Sequence, residues 1–306
     1  MSANPTVQTE AVDSPILTLR GMQPLAMTAG ARRARAIKMG LPMGPLTGFD
    51  RIDEMLGGCL EPGMHVLHGT PGAGKSTLAL TFATQCQCPS LYISAELRPE
   101  VVMRRLIARM CGRSMWEVKR LSGPALLSAT ERVISLAPQF SMLDITYQGA
   151  SVERLKGAVD ILRRSHPERY HEGVLLIIDS GHTWAQRMYS DKPEYERLNF
   201  ALSHLERLAQ AVECPILVVA ERNRSSREES GQASAKGSSR FEYAAETVMA
   251  LDAVKQETVP LPGEPVPVAL TVSKNRDGAT GRVMLTWHGS TQTHRLADDL
   301  DPKGVF

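Results

Sequence analysis

The chain predicts an α/β fold: a mostly parallel central sheet with helices on both faces and a C-terminal β-hairpin. Three observations predict it. Strand-like apolar runs alternate with helix-period segments over most of the 306 residues, the pattern of a parallel sheet with crossover helices. Residues 174–178 (V-L-L-I-I) and 216–220 (I-L-V-V-A) are apolar without alternation, as strands buried on both faces are. Between a short apolar run at 64–67 and the first strong helix, Gly69 to Ser76 reads G-T-P-G-A-G-K-S, a full match to the phosphate-binding pattern G-x-x-x-x-G-K-[ST].

Taken in order, residues 1–30 carry Pro5, Pro15 and Pro24 with little periodicity and predict a loosely attached or disordered arm. Residues 31–39 (A-R-R-A-R-A-I-K-M) predict a short basic helix, either a solvated face or a contact for nucleic acid or a subunit. Residues 64–67 predict the first strand. Residues 76–86 lack Gly and Pro and place Leu78, Leu80, Phe82 and Ala83 at helical positions. A strand follows at 91–95 with Glu96 just past its end. A helix follows at 99–111, with Pro99 suited to its first turn and Val102, Leu106 and Met110 four residues apart. Further elements are predicted as a helix at 125–137 and a strand at 140–145. Ser151 can cap a helix reaching about 165, whose Val152, Leu155, Val159 and Leu162 form one apolar stripe. The strand at 174–178 runs into Asp179. A helix at 196–212 and the strand at 216–220 follow, the latter ending at Glu221. Residues 222–240 are polar, rich in Gly and Ser and charged in both signs, which predicts a long mobile loop, of a kind often functional in compact domains. Residues 244–251 return to the core, and 266–273 with 282–287 predict a hairpin around Lys274–Gly281.

Composition narrows the function classes. Net charge is +2, so any nucleic-acid site is local and not a global electrostatic property. Five scattered cysteines, at 59, 86, 88, 111 and 214, form no paired zinc pattern and suit a reducing cytoplasm. Glu10, Asp13 and the lack of a long apolar run near the N-terminus argue against a signal peptide. No stretch is long enough to span a bilayer, so no membrane partner is expected.

The chemistry gathers at predicted strand ends, where ligands of such sheets bind. Gly69, Gly72 and Gly74 allow the close approaches and positive φ angles by which the loop through Thr70, Pro71 and Ala73 turns the backbone N–H groups of its non-proline residues onto one anion. Lys75 can reach the β- and γ-phosphates. The Ser76 hydroxyl can ligate Mg²⁺, and Thr77 completes the loop as the helix begins. Asp179, after an apolar strand, is placed to hold the Mg²⁺ opposite Ser76, or else to cap the next turn. Glu96 is placed to position water in line with the γ-phosphate.

Several segments now come in order: T-G-F-D-R-I-D-E-M-L-G-G at 47–58, the P-loop, S-A-E-L at 94–97, the strand ending in Asp179, E-R-N-R at 221–224, K-G-S-S-R-F-E-Y-A-A-E-T-V-M-A-L at 236–251 and K-N-R-D-G-A-T-G at 274–281. The chain resembles the RecA-like motor domain of DnaB-type replicative helicases, with RadA- and KaiC-type ATPases as cousins. The resemblance covers about 46–295, leaving 1–45 as an N-terminal arm and 296–306 as a tail. It implies a RecA-like P-loop NTPase fold, ATP and Mg²⁺ as cofactors, and a homo-oligomer, as a hexameric ring. It further implies single-stranded DNA as partner. Glu96 falls on the family's catalytic glutamate, and Lys274 and Arg276 on its K-x-R finger, which reaches the γ-phosphate of the next subunit. From spacing alone, Lys274 and Arg276 read equally as ordinary polar hairpin residues. Glu221 departs from the Gln usual there; Gln can donate to a γ-phosphate and an ionised Glu cannot. The arm is too short for the helical primase-binding domain of full-length replicative helicases, as in motor-only phage and plasmid enzymes. Family motors place channel loops at positions corresponding to about 182–195 and 222–240. There Arg222, Arg224, Arg227, Lys236 and Arg240 can meet phosphates, or belong to a solvated loop containing Glu228 and Glu229.

Overall fold

The computed structural model describes residues 18–147, 149–166, 173–221, 244–254, 256, 261 and 263–297. The loop expected at 222–240 lies outside them. Residues up to Leu41 and those from Pro42 onward form two separate units.

In the first unit, α1 spans Leu19–Lys38. The arm expected over 1–30 is therefore helical from Leu19 onward. Thr18 accepts from the Gly21 N–H as N-cap; Pro24 lies inside the helix, beyond its first turn, where it removes one backbone donor, and the Thr28 hydroxyl donates to its carbonyl at 2.9 Å. The last turn carries Arg35 and Lys38, the favourable end for cations. Proline counting hid a helix that its cap and basic end make self-consistent.

The second unit is built on a nine-stranded sheet. Its strands are β1 (Gly63–Gly69), β2 (Ser90–Ser94), β3 (Phe140–Asp144), β4 (Leu175–Asp179), β5 (Pro215–Val219), β6 (Thr247–Ala253), β7 (Val266–Asn275), β8 (Gly281–His288) and β9 (Thr293–Leu296). They lie in the order β3-β2-β4-β5-β1-β6-β7-β8-β9. The first six of that order are parallel, and β6 to β9 are antiparallel neighbours. The mostly parallel sheet and the hairpin at 266–288 match the sequence reading. The strand β7 runs through Lys274 to Asn275 before it turns, and β9 adds an edge that four residues gave no periodic signal for.

Period-two alternation sorts the strands between two cores. On one face Leu67, Tyr92, Leu175, Ile177, Leu217 and Val219 pack with α3 (Lys75–Gln85) and α4 (Pro99–Met110). On the other, Val66, Leu91, Ile93, Leu176, Ile178 and Val218 pack with α7 (Val152–Ser165) and α9 (Glu194–Val212). On the first of these faces α5 (Met115–Val118) and α6 (Gly123–Leu136) also pack, through Val118, Ala129 and Val133. Ser151 caps α7 as expected, accepting from the Arg154 N–H.

Besides the short α5, two helices were not read from the sequence. The first, α2 (Asp50–Met55), explains the T-G-F-D-R-I-D segment. Asp53 accepts from the Thr47 N–H at 2.7 Å, and the Met55 carbonyl accepts from Asn275 Nδ2 at 2.8 Å and the Ala279 N–H at 3.0 Å. A Cβ on Gly278 would lie 2.4 Å from that carbonyl. The α2 end and the β7–β8 turn are thus one assembly, which is what N-R-D-G after Lys274 provides. The second, α8 (Gly181–Met188), occupies the first half of the channel loop expected at 182–195. Ser180 caps it, and Trp184 is fully buried, donating to the Ala150 carbonyl at 3.0 Å. One large buried anchor outweighs the weak intrinsic preference of a short segment.

Candidate phosphate and metal site

The phosphate-binding loop leaves β1 at Gly69 and enters α3 at Lys75. Gly69 has φ of 147°, and a Cβ there would sit 1.9 Å from the Leu251 carbonyl oxygen of β6. Gly74 has φ of 87°, and its Cβ would meet His294 at 2.8 Å. Both must be glycine for the loop to lie against β6 and β9. The Thr70 N–H donates to Asp252 at 3.2 Å, and the Thr77 hydroxyl to Gln292 at 3.0 Å. His294 stacks on Trp287, ring centroids 4.6 Å apart, beneath the loop. Burial pushes the pKa of His294 down to about 4.

Lys75 folds back on the loop, donating to the carbonyls of Gly69 and Thr70 at 3.1 Å each. Burial pushes its pKa down, and the carboxylates of Glu221, Asp179, Asp252 and Glu96, in that order, oppose the shift. Four acids therefore face one ammonium. Asp179 ends β4 and is 4% exposed. Desolvation raises its pKa, against hydrogen bonds from the Tyr92 and Ser76 hydroxyls. Its carbonyl accepts from the Ala95 N–H at 2.7 Å, which ties it to the turn carrying Glu96. Glu96 accepts from the hydroxyls of Ser180 at 2.5 Å and Thr183 at 2.6 Å. His182 lies between Glu96 and Glu221, its Nδ1 accepting from the Glu221 N–H at 3.5 Å; burial lowers its pKa and both carboxylates oppose this.

Lys274 and Arg276 lie elsewhere. The pairings of His65 with Thr247 and of Thr247 with Asn275 put them beside the start of β1. Four strand residues, about 13 Å, separate that level from Gly69. Arg276 is half-exposed and pairs with Glu246 at 3.1 Å. Glu96, Lys75, Ser76 and Asp179 come together at one end of the sheet; the two cations stand at the other.

Sequence reading missed Tyr92, Ser180, His182, Thr183 and Asp252. Asp252 had a legible signal, a carboxylate at the end of an apolar strand. The others show only once β2 and β4 are in register and α8 is formed.

Comparison with known proteins decides the family. A family model described as DnaB-like helicase C-terminal domain matches residues 44–295. The chain belongs to that family. The replicative DNA helicase DnaB of Treponema pallidum (strain Nichols) is 26% identical over 255 residues, covering 81% of this chain and 55% of the relative. The chain thus spans about half the length of the DnaB relatives it matches. The DNA repair protein RadA of Mycobacterium tuberculosis is 30% identical over 171 residues, or 52% of this chain and 35% of the relative. Among solved structures, the ATPase domain of G40P superposes with a TM-score of 0.72 at 16% identity, covering 89% of this chain and 97% of that one. A structure titled as a DnaB-like replicative helicase and its interactions with primase gives 0.68 at 16% identity, covering 90% and 70%. The RecA-like fold and the resemblance to DnaB-type motors are both borne out. Among the described residues no helix is long and apolar enough to cross a membrane.

Proposed function

We propose that this DnaB-like domain hydrolyses Mg·ATP at sites shared between copies of the chain, assembled as a hexameric ring, and uses the turnover to move along single-stranded DNA in the cytoplasm. The observation that carries the reading is the division of the expected machinery. The loop, Lys75, Ser76, Asp179 and Glu96 converge at one end of the sheet, while Lys274 and Arg276 stand at the opposite end, away from their own chain's loop, which supports a role towards a neighbour's nucleotide.

The residues fit the cofactors. The loop offers backbone N–H groups at a helix N-terminus. Ser76 and Asp179, neighbours in the site, supply the hard oxygen donors that Mg²⁺ takes alongside phosphates. When bound, the cation would neutralise charge developing on the transferred phosphoryl group. Lys75 leaves the loop carbonyls and binds the β- and γ-phosphates. Glu96 orients the attacking water and accepts its proton, and Ser180 and Thr183 hold that carboxylate in place beforehand. Arg276, with Lys274, is presented by the rigid α2-buttressed turn to the γ-phosphate across the interface.

The test is phosphate release with and without single-stranded DNA. Stimulation supports the motor; flat rates argue against it. A second reading, a RadA- or KaiC-type recombination or regulatory ATPase without helicase activity, is favoured by Glu221 beside Lys75. Strand displacement on a forked duplex separates the two, since only the motor displaces a strand.

A further inference from the structure

Tyr92 is fully buried in β2, in a layer otherwise built from Leu175, Ile177, Leu217 and Phe82. An apolar side chain would pack there without a polar atom to satisfy. The phenol instead donates its hydroxyl hydrogen to Asp179 Oδ2. The register makes this contact possible. Tyr92 pairs with Ile177 and Ser94 with Asp179, so Tyr92 and Asp179 are diagonal neighbours on one face. That separation, roughly 7–8 Å between Cα atoms, is spanned by an aromatic side chain and not by a serine or threonine. The ring is held against Phe140, centroids 6.3 Å apart. The Ala95 N–H bond to the Asp179 carbonyl fixes the backbone of the same residue.

We propose that Tyr92 is the positioning residue of the metal carboxylate: by holding Oδ2 from beneath, it sets the rotation of Asp179 that presents the carboxylate to a divalent cation beside Ser76. The inference rests on the Mg·ATP reading of the site and adds to it a hydrogen bond from the buried side. Removing the hydroxyl leaves a buried carboxylate oxygen without its donor and the group free to turn. Partners of this outer kind commonly change metal affinity 10- to 100-fold when lost. Nucleotide contacts made by the loop amides and Lys75 do not pass through Tyr92.

The experiment is a Mg²⁺ titration of fluorescent ATP-analogue binding to the full chain, wild type against Tyr92→Phe, with a parallel series in EDTA. The expected result is a Mg²⁺ half-saturation raised about tenfold or more, unchanged binding in EDTA, and no further effect of Tyr92→Phe in an Asp179→Asn background. Superimposed Mg²⁺ titrations overturn the inference alone. Wild-type binding indifferent to Mg²⁺ overturns it together with the reading it rests on. A readout independent of the variant's folding is 3-fluorotyrosine placed at position 92 of the otherwise native chain. Its ¹⁹F resonance should move with Mg·ADP and stay still with ADP in EDTA, and identical spectra in the two states contradict the proposal.

Discussion

Replacing Arg276 by Ala separates what the arginine does within its own chain from what it does for a neighbour. Within the chain, its guanidinium pairs with Glu246 at 3.1 Å, the two side chains being 52% and 28% exposed. A pair that open to solvent contributes about 1 kcal/mol or less, a melting shift of about 2–4 °C for a domain of this size. The backbone bond from the Arg276 N–H to the Glu246 carbonyl survives the change. A finger that meets the γ-phosphate in the transition state is worth about 10³–10⁵ in turnover. Arg276→Ala should therefore abolish ATPase activity while melting within a few degrees of wild type and binding nucleotide normally. The position of Arg276 at the far end of β7 adds a sharper outcome. Lys75→Ala protein, also inactive, keeps its finger, and Arg276→Ala protein keeps its loop. In a random equal mixture about a quarter of head-to-tail interfaces join an intact loop to an intact finger. The assay is phosphate release from the mixture after subunit exchange. Recovery of roughly a quarter of wild-type activity is expected; a mixture as inactive as its parts, with exchange verified, refutes action across an interface.

Three other outcomes follow. Glu96→Gln keeps the shape and hydrogen-bonding reach of the side chain but not its basicity, so turnover should fall about 10²–10⁴-fold with ATP binding retained, as read by single-turnover and equilibrium binding assays. Glu221→Gln removes the largest of the acidic charges acting on Lys75 and should tighten ATP binding roughly three- to tenfold at low salt, less at high salt, by fluorescence titration; unchanged affinity would show that this charge does not reach the phosphates. His65, whose Nε2 donates to the Glu61 carbonyl at 2.7 Å, and His294 are buried with pKa values pushed down to about 4. The unfolded chain takes up these protons near pH 6.5 and the folded one does not. Their contribution is complete above 6.5 and lost as pH falls towards 4, by up to about 3 kcal/mol per histidine. Denaturant melts should show that loss, and His294→Gln should shrink it.

The elements that organise the fold were legible because their signals are local. The glycines of the loop, the unbroken apolar runs of β4 and β5 and the Ser151 cap each sit within a few residues of what they determine. The loop, Lys75, Ser76, Asp179 and Glu96 were legible for the same reason, each being a residue type at the end of an apolar run. What escaped depends on partners far along the chain. Tyr92 and Asp179 are 87 residues apart, and Thr70 and Asp252 are 182 apart; nothing in either segment announces the other until the strands are paired. The helix α8 escaped because Trp184 stabilises it through Ala150, a tertiary contact. The helix α2 is six residues long with no side-chain cap, and α1 was hidden by Pro24, a residue type that usually breaks a helix and here lies inside one.

The central claim is that the ATP site works only when one copy completes another's. The most direct measurement is specific ATPase activity across a dilution series, with the mass in solution determined at each concentration under the same Mg·ATP conditions. Activity should track the assembled species and vanish with the monomer. A dispersed monomer that turns over ATP at the full specific rate would contradict the claim.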